Sequence, residues 1–303
     1  MMKMLKCGTR PLWLLCSVIP ALVCVLVRRW QLATAFEGDL ALHVKGAPAS
    51  VVLSCVLVMG TALLLMLAIR QQEYRPPRGS GQKKRPASML AKGDTITLTL
   101  TVAAAFLAMA AAPVLFLKGK QIRDAFRMTM VTGTEVGGNN GVLMMVTAVG
   151  ALLTFGGLLL AGRDRYRGIR GGKGESMLLL CTVSGCLWLM ETYRDCAADP
   201  VLWDYVPLLL AVICGMLFYL DCAGLACGAC HPRRTLWLAG MVVILSAIAV
   251  AGKPGLGSVL LLLSQTLAAL AVLWRLPLNM EHPPAEEEPQ DSEEEIQEED
   301  THV

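Results

Sequence analysis

Long apolar runs recur along this chain, broken by short polar stretches. A helix needs about 20 apolar residues to cross the bilayer core, with a workable range near 17–25. Eight runs meet or approach that length: Pro11–Val27, Val51–Ile69, Thr95–Leu117, Val142–Ala161, Ser176–Tyr193, Tyr205–Leu225, Thr235–Ala251 and Leu256–Trp274. The fifth is the least apolar, because its clean stretch stops at Met190 and Glu191 follows. Only Gly252-Lys253-Pro254-Gly255 separates the last two, a turn signal that forces a tight hairpin. The pattern predicts an all-α, polytopic transmembrane bundle of eight spans over residues 1–275, with a tail over 276–303. The first run resembles a signal peptide, but Arg28 and Arg29 interrupt the approach to a cleavage site and the run is long for that role. It is expected to stay as an uncleaved span.

The segments after the first and third runs look alike. "LVRRWQLATAF" (Leu26–Phe36) and "FLKGKQIRDAF" (Phe116–Phe126) align at a constant offset, matching Gln31 with Gln121, Phe36 with Phe126 and Arg28 with Lys118. Each is followed by a short alternating stretch, Leu40–Gly46 and Met128–Gly133, and alternation suggests a strand. The expectation is a repeated outer element, a helical extension and then a strand, with the two strands able to pair. Phe36 and Phe126 would turn inward against the bundle. Within the spans, stripes of small residues such as Ala104, Ala108 and Ala112 suit close helix packing.

Composition fits this picture and adds orientation. Hydrophobic residues make up 55% of the 303 and charged residues 17%, too apolar for an ordinary soluble domain. The final 28 residues hold 11 of the 24 acids and no Lys or Arg, so the tail reads as solvated and disordered. The rest holds 27 bases against 13 acids, a surplus of 14. Those bases lie between apolar runs, so they report topology and not nucleic-acid binding. With the N-terminus inside, inner segments carry 18 Lys and Arg and outer segments 9. The bias places both termini in the cytosol, with the plasma membrane as the expected location.

Candidate chemistry is sparse. "CGACH" (Cys227–His231) matches the haem-attachment pattern, yet the topology puts it inside, in a turn with no room for a haem pocket. Cys222, Cys227, Cys230 and His231 are zinc-type ligands within ten residues. Adjacent Cys–His ligation is awkward, and buried cysteine commonly serves as a small hydrophobe. No metal or cofactor is therefore expected. "GIRGGKGE" (Gly168–Glu175) lacks the first Gly, the Ser or Thr and the preceding strand of a phosphate loop. No zinc-protease or nucleophile-elbow motif occurs. Asp221 is the one carboxylate well inside a span and Gln265 the one deep amide, and intramembrane polar groups are functional candidates by default. Glu191, Asp195 and Asp199 fall at i, i+4 and i+8, one face if helical. That edge would dock on Arg28, Arg29, Arg123 or Arg127, or form a weak cation site or ligand mouth.

The sequence thus implies a non-catalytic membrane scaffold or accessory subunit. Its partners would be the lipid bilayer and other membrane proteins, without nucleic acid. The alternative is a transporter or permease subunit with a polar path near Asp221 and Gln265. A second alternative is a membrane enzyme or metal-dependent redox protein using Cys222, Cys227, Cys230 and His231.

Overall fold

The computed structural model describes residues 9–37, 42–43, 47–71, 94–132, 141–168, 173–197, 202–226 and 231–281. Eight long helices form where the apolar runs predict them: α1 (Thr9–Thr34), α2 (Pro48–Arg70), α3 (Thr95–Thr132), α4 (Val142–Tyr166), α6 (Leu178–Ala197), α7 (Leu202–Ala226), α8 (Pro232–Ala251) and α9 (Leu256–Glu281). A single turn, α5 (Lys173–Ser176), precedes α6. Seven of the long helices are apolar and long enough to cross a membrane. The exception is α6, whose last turns hold Glu191, Arg194 and Asp195. The molecule is a polytopic helical bundle of an integral membrane protein. The end that carries the α1–α2, α3–α4, α6–α7 and α8–α9 connections is called outer here, after the charge bias.

Packing order places the site. Helices α3, α4, α6, α7, α8 and α9 each pack on the next, and α9 closes back on α3. This makes a six-helix ring in which α6 lies opposite α9. Helix α1 lies outside the ring against α8 and α9, and α2 packs on α1 and α8. The sequence accounts for this division. α2 buries one stripe, Ala49, Leu53, Gly60, Leu64 and Ala68, flanked by the partly buried Val56, Leu57 and Leu67, and leaves most of its other apolar residues facing outward. α8 is apolar all round and buried on nearly every side, as a ring helix with the α1–α2 hairpin packed on its outside must be.

At 38 residues, α3 runs about 57 Å at 1.5 Å per residue, well beyond a ~30 Å hydrocarbon core. Its outer portion projects past the bundle, and the chain returns to α4 beside Gly119. Gly141, at φ 71°, opens α4 there, and a Cβ on it would strike the Gly119 carbonyl. Only glycine fits both the left-handed backbone and that contact.

The repeated outer element does not form. After α1 the chain makes a small antiparallel pair, β1 (Phe36–Glu37) with β2 (Leu42–His43), so the strand closes on its own loop. After α3 the alternating stretch Met128–Thr132 remains helical. Continuing a helix satisfies each backbone group within the segment, whereas a lone strand there would need an edge to pair with. The two outer segments are unlike in shape, and the repeat is confined to sequence. Phe126 is half-buried, and the Phe36 side chain lies outside the described residues. At the other end α9 continues six residues past 275 to Glu281, and the tail from 282 lies outside the described residues.

Candidate functional site

The mid-span polar groups are held by other helices. Ser264 donates to the Ala104 carbonyl at 2.7 Å, tying α9 to α3. Gln265, 4% exposed, donates to Ser246 Oγ at 2.9 Å and to the Ala211 carbonyl at 3.3 Å. One amide thereby joins α9, α8 and α7. Gly215 makes room for it, since a Cβ there would collide with Gln265 Oε1. Beside these residues lies a void of about 30 Å³ that Thr154, Ser184, Trp188, Tyr219, Ser264 and Gln265 help to line.

Asp221 and Gln265 are not brought together. Gln265 packs beside Gly215, and Asp221 lies six residues further along α7, about 9 Å toward the inner end at the helical rise. There Asp221 is buried and paired with Arg234 at 3.1 Å. Two more carboxylates are engaged at the inner end. Asp164 accepts from the Gly174 amide at 2.9 Å and so fixes the short α5 turn, and Asp94 accepts from Arg275 at 2.9 Å. Of the cysteine cluster, Cys222 is buried in the bundle and His231 is exposed just before α8. Cys227 and Cys230 lie outside the described residues, as does Asp199. Among the described residues no group of three or more His, Cys, Asp or Glu is placed to hold a metal.

The outer end is different. A cleft of about 360 Å³ opens there, lined by Arg28, Lys118, Glu191, Asp195, Tyr205 and Lys253 together with apolar and small residues. Its acidic wall is α6. Glu191 is 3% exposed and lies next to the Thr147 side chain, while its Oε2 has no hydrogen-bond partner. Asp195, one turn outward, is exposed at the rim.

The cationic wall is built from three distant segments. Arg28, from α1 outside the ring, is 2% exposed and donates to Gln31 Oε1 at 2.6 Å. Gln31 in turn donates to Ser50 Oγ at 2.8 Å, which ties α1 to α2. The α8–α9 turn receives both basic head groups. Arg28 Nη2 lies 3.7 Å from where a Cβ on Gly252 would stand, and Lys118 Nζ lies 3.0 Å from the corresponding point on Gly255. Lys253, in that turn, takes φ 55° and stays exposed. Since α6 is opposite α9 in the ring, acids and bases occupy opposite walls.

Of the acidic edge and the basic loops read from the sequence, Glu191, Asp195 and Arg28 line this one cleft. Lys118 and Lys253 were not singled out by sequence reasoning. The one signal for Lys118 was its alignment with Arg28, since each marks the end of an apolar run. Arg29, Arg123 and Arg127 do not line the cleft.

Ring, hairpin and charged mouth define a multi-pass membrane protein with a polar cleft at one end of an otherwise tightly packed core. Compared with known proteins, the chain matches no protein family, no curated relative and no solved structure.

Proposed function

We propose that this protein binds a small polar solute at its outer cleft, as a transporter or permease-type subunit without catalytic apparatus. The observation that carries this reading is the cleft itself. About 360 Å³ falls within the ~300–1,000 Å³ typical of small-molecule sites. Burying Glu191 at its wall with one oxygen unpartnered is costly unless a donor or cation meets it. The reading moves the polar region from Asp221 and Gln265, whose side chains bond within the bundle, to Glu191, Arg28 and Lys118. The charge bias supports a plasma-membrane location with this mouth facing out and both termini in the cytosol.

The test is a thermal-shift screen of purified protein in lipid nanodiscs against small polar solutes. Ser258→Trp, which fills the mouth from α9, serves as the blocked control. A solute that raises the Tm of the natural protein but not of Ser258→Trp supports the reading. If every stabilising solute acts equally on both proteins, the cleft is not the site.

The second reading, a membrane scaffold or accessory subunit, is favoured by the internal bonding of Ser264 and Gln265. A core locked across four helices suits a rigid platform for other membrane proteins. A stable co-purifying partner and a silent solute screen would put it first.

A further inference from the structure

We propose that the outer cleft takes a small zwitterion, with its ammonium group at Glu191 and its acidic group between Arg28 and Lys118. This rests on the reading of the cleft as a solute site and names the class of solute. Three observations carry it. Glu191 is only 3% exposed, lines the cleft and has an unpartnered carboxylate oxygen. A carboxylate removed from water is expensive unless a cation or donor meets it. The opposite wall is cationic, with Arg28 and Lys118 drawn against Gly252 and Gly255 at the α8–α9 turn. The lining is nearly balanced, with Arg28, Lys118 and Lys253 against Glu191 and Asp195.

A lone amine satisfies Glu191 but adds charge beside the cationic wall. A lone carboxylate meets the bases but leaves the unpartnered Glu191 oxygen without a donor. A molecule with both groups neutralises both walls at once. The rim charges Asp195 and Lys253, both exposed, would orient it on approach.

The experiment is calorimetric titration of the full-length protein in nanodiscs. The probes are the ω-amino acids from glycine to 6-aminohexanoate, with n-butylamine and butyrate for comparison. One amino acid in the series should bind at least about tenfold more tightly than either single-charge probe. Glu191→Gln, close in size, should reduce that amino acid to the level of butyrate while leaving butyrate binding no weaker. Lys118→Met, at an exposed position, should erode its advantage over butylamine while leaving butylamine binding no weaker. Amine binding as tight as that of any amino acid would make this a cation site, and equal butyrate binding an anion site. Either result overturns the zwitterion and leaves solute binding standing. No response to these probes, with an uncharged hit in the thermal screen, does the same. Silence in both experiments overturns both proposals.

Discussion

Replacing Gly215 with alanine separates two opposing effects by sign. On an open helix face, glycine to alanine stabilises by roughly 0.5–1 kcal/mol, because alanine loses less backbone freedom on folding. At Gly215 the new methyl would collide with Gln265 Oε1 and lie 2.9 Å from Gln265 Cδ. Overpacking of this kind costs about 1–3 kcal/mol. The amide cannot swing away without giving up Ser246 and the Ala211 carbonyl, so the expected net loss is about 1–2 kcal/mol. Gly156→Ala is the control, since nothing lies within 4 Å of its Cβ position, and it should be neutral or stabilising. Gln265→Ala alone removes two interhelical hydrogen bonds, at about 0.6 kcal/mol each in a membrane, and leaves a cavity. In the double variant the methyl added at position 215 enters that space. The two losses should therefore fall short of additivity by about 1–2 kcal/mol, a coupling expected of residues in contact. Equilibrium unfolding of the four proteins in mixed micelles measures this directly. If Gly215→Ala is as benign as Gly156→Ala, or the double variant is simply additive, the packing account of this crossing is wrong.

Three further outcomes can be checked separately. In intact cells, Lys253→Cys should gain labelling by an impermeant thiol reagent, while Arg163→Cys should gain it only after permeabilisation; the reverse would invert the topology. Asp221→Asn weakens a pair whose Arg234 partner is 53% exposed, so the loss of that pair alone should cost about 1 kcal/mol in unfolding. It should also leave cleft binding within about twofold, and a larger change would tie the two ends of the bundle together. Gln71→Ala removes the acceptor for Trp13 Nε1, a 3.0 Å bond joining the inner ends of α1 and α2. It leaves the buried Trp13 N–H without that acceptor and should cost about 1–3 kcal/mol, read as easier proteolytic clipping of the hairpin, with the ring helices unaffected.

The spans were legible in the sequence because length and apolarity alone decide what can cross a bilayer, and all eight predicted runs are helical. Even the doubtful one failed where expected, at Glu191. The ring order was not legible. Helices that are apolar on every side, α8 above all, have no polar face to mark their neighbours. Alternation misled at Met128–Thr132, where five residues are too few to separate a strand from a helix that simply continues. At the site, the acidic wall could be read because Glu191 and Asp195 share one helix. The cationic wall could not, because Arg28, Lys118 and Lys253 meet only through tertiary contacts. Gln265 was found as a deep amide, but its use as a tie among three helices depends on Gly215 and Ser246, which no local pattern links to it.

Closure of the ring by α9 against α3 has a consequence for how the protein is made. The first hairpin and α3 leave the ribosome well before α8 and α9, so Arg28 and Lys118 wait without the turn that receives them. Neither Gly252 nor Gly255 exists until more than four-fifths of the chain has been synthesised. The cleft is therefore complete only once the final hairpin has packed against α1 and α3. A chain stopped after α7 would hold Glu191 and Asp195 without the turn that seats Arg28 and Lys118, its ring open along the side where α8 and α9 belong. Possession of the mouth is thus a certificate of complete insertion, and a reagent specific for it would count finished molecules and pass over every intermediate.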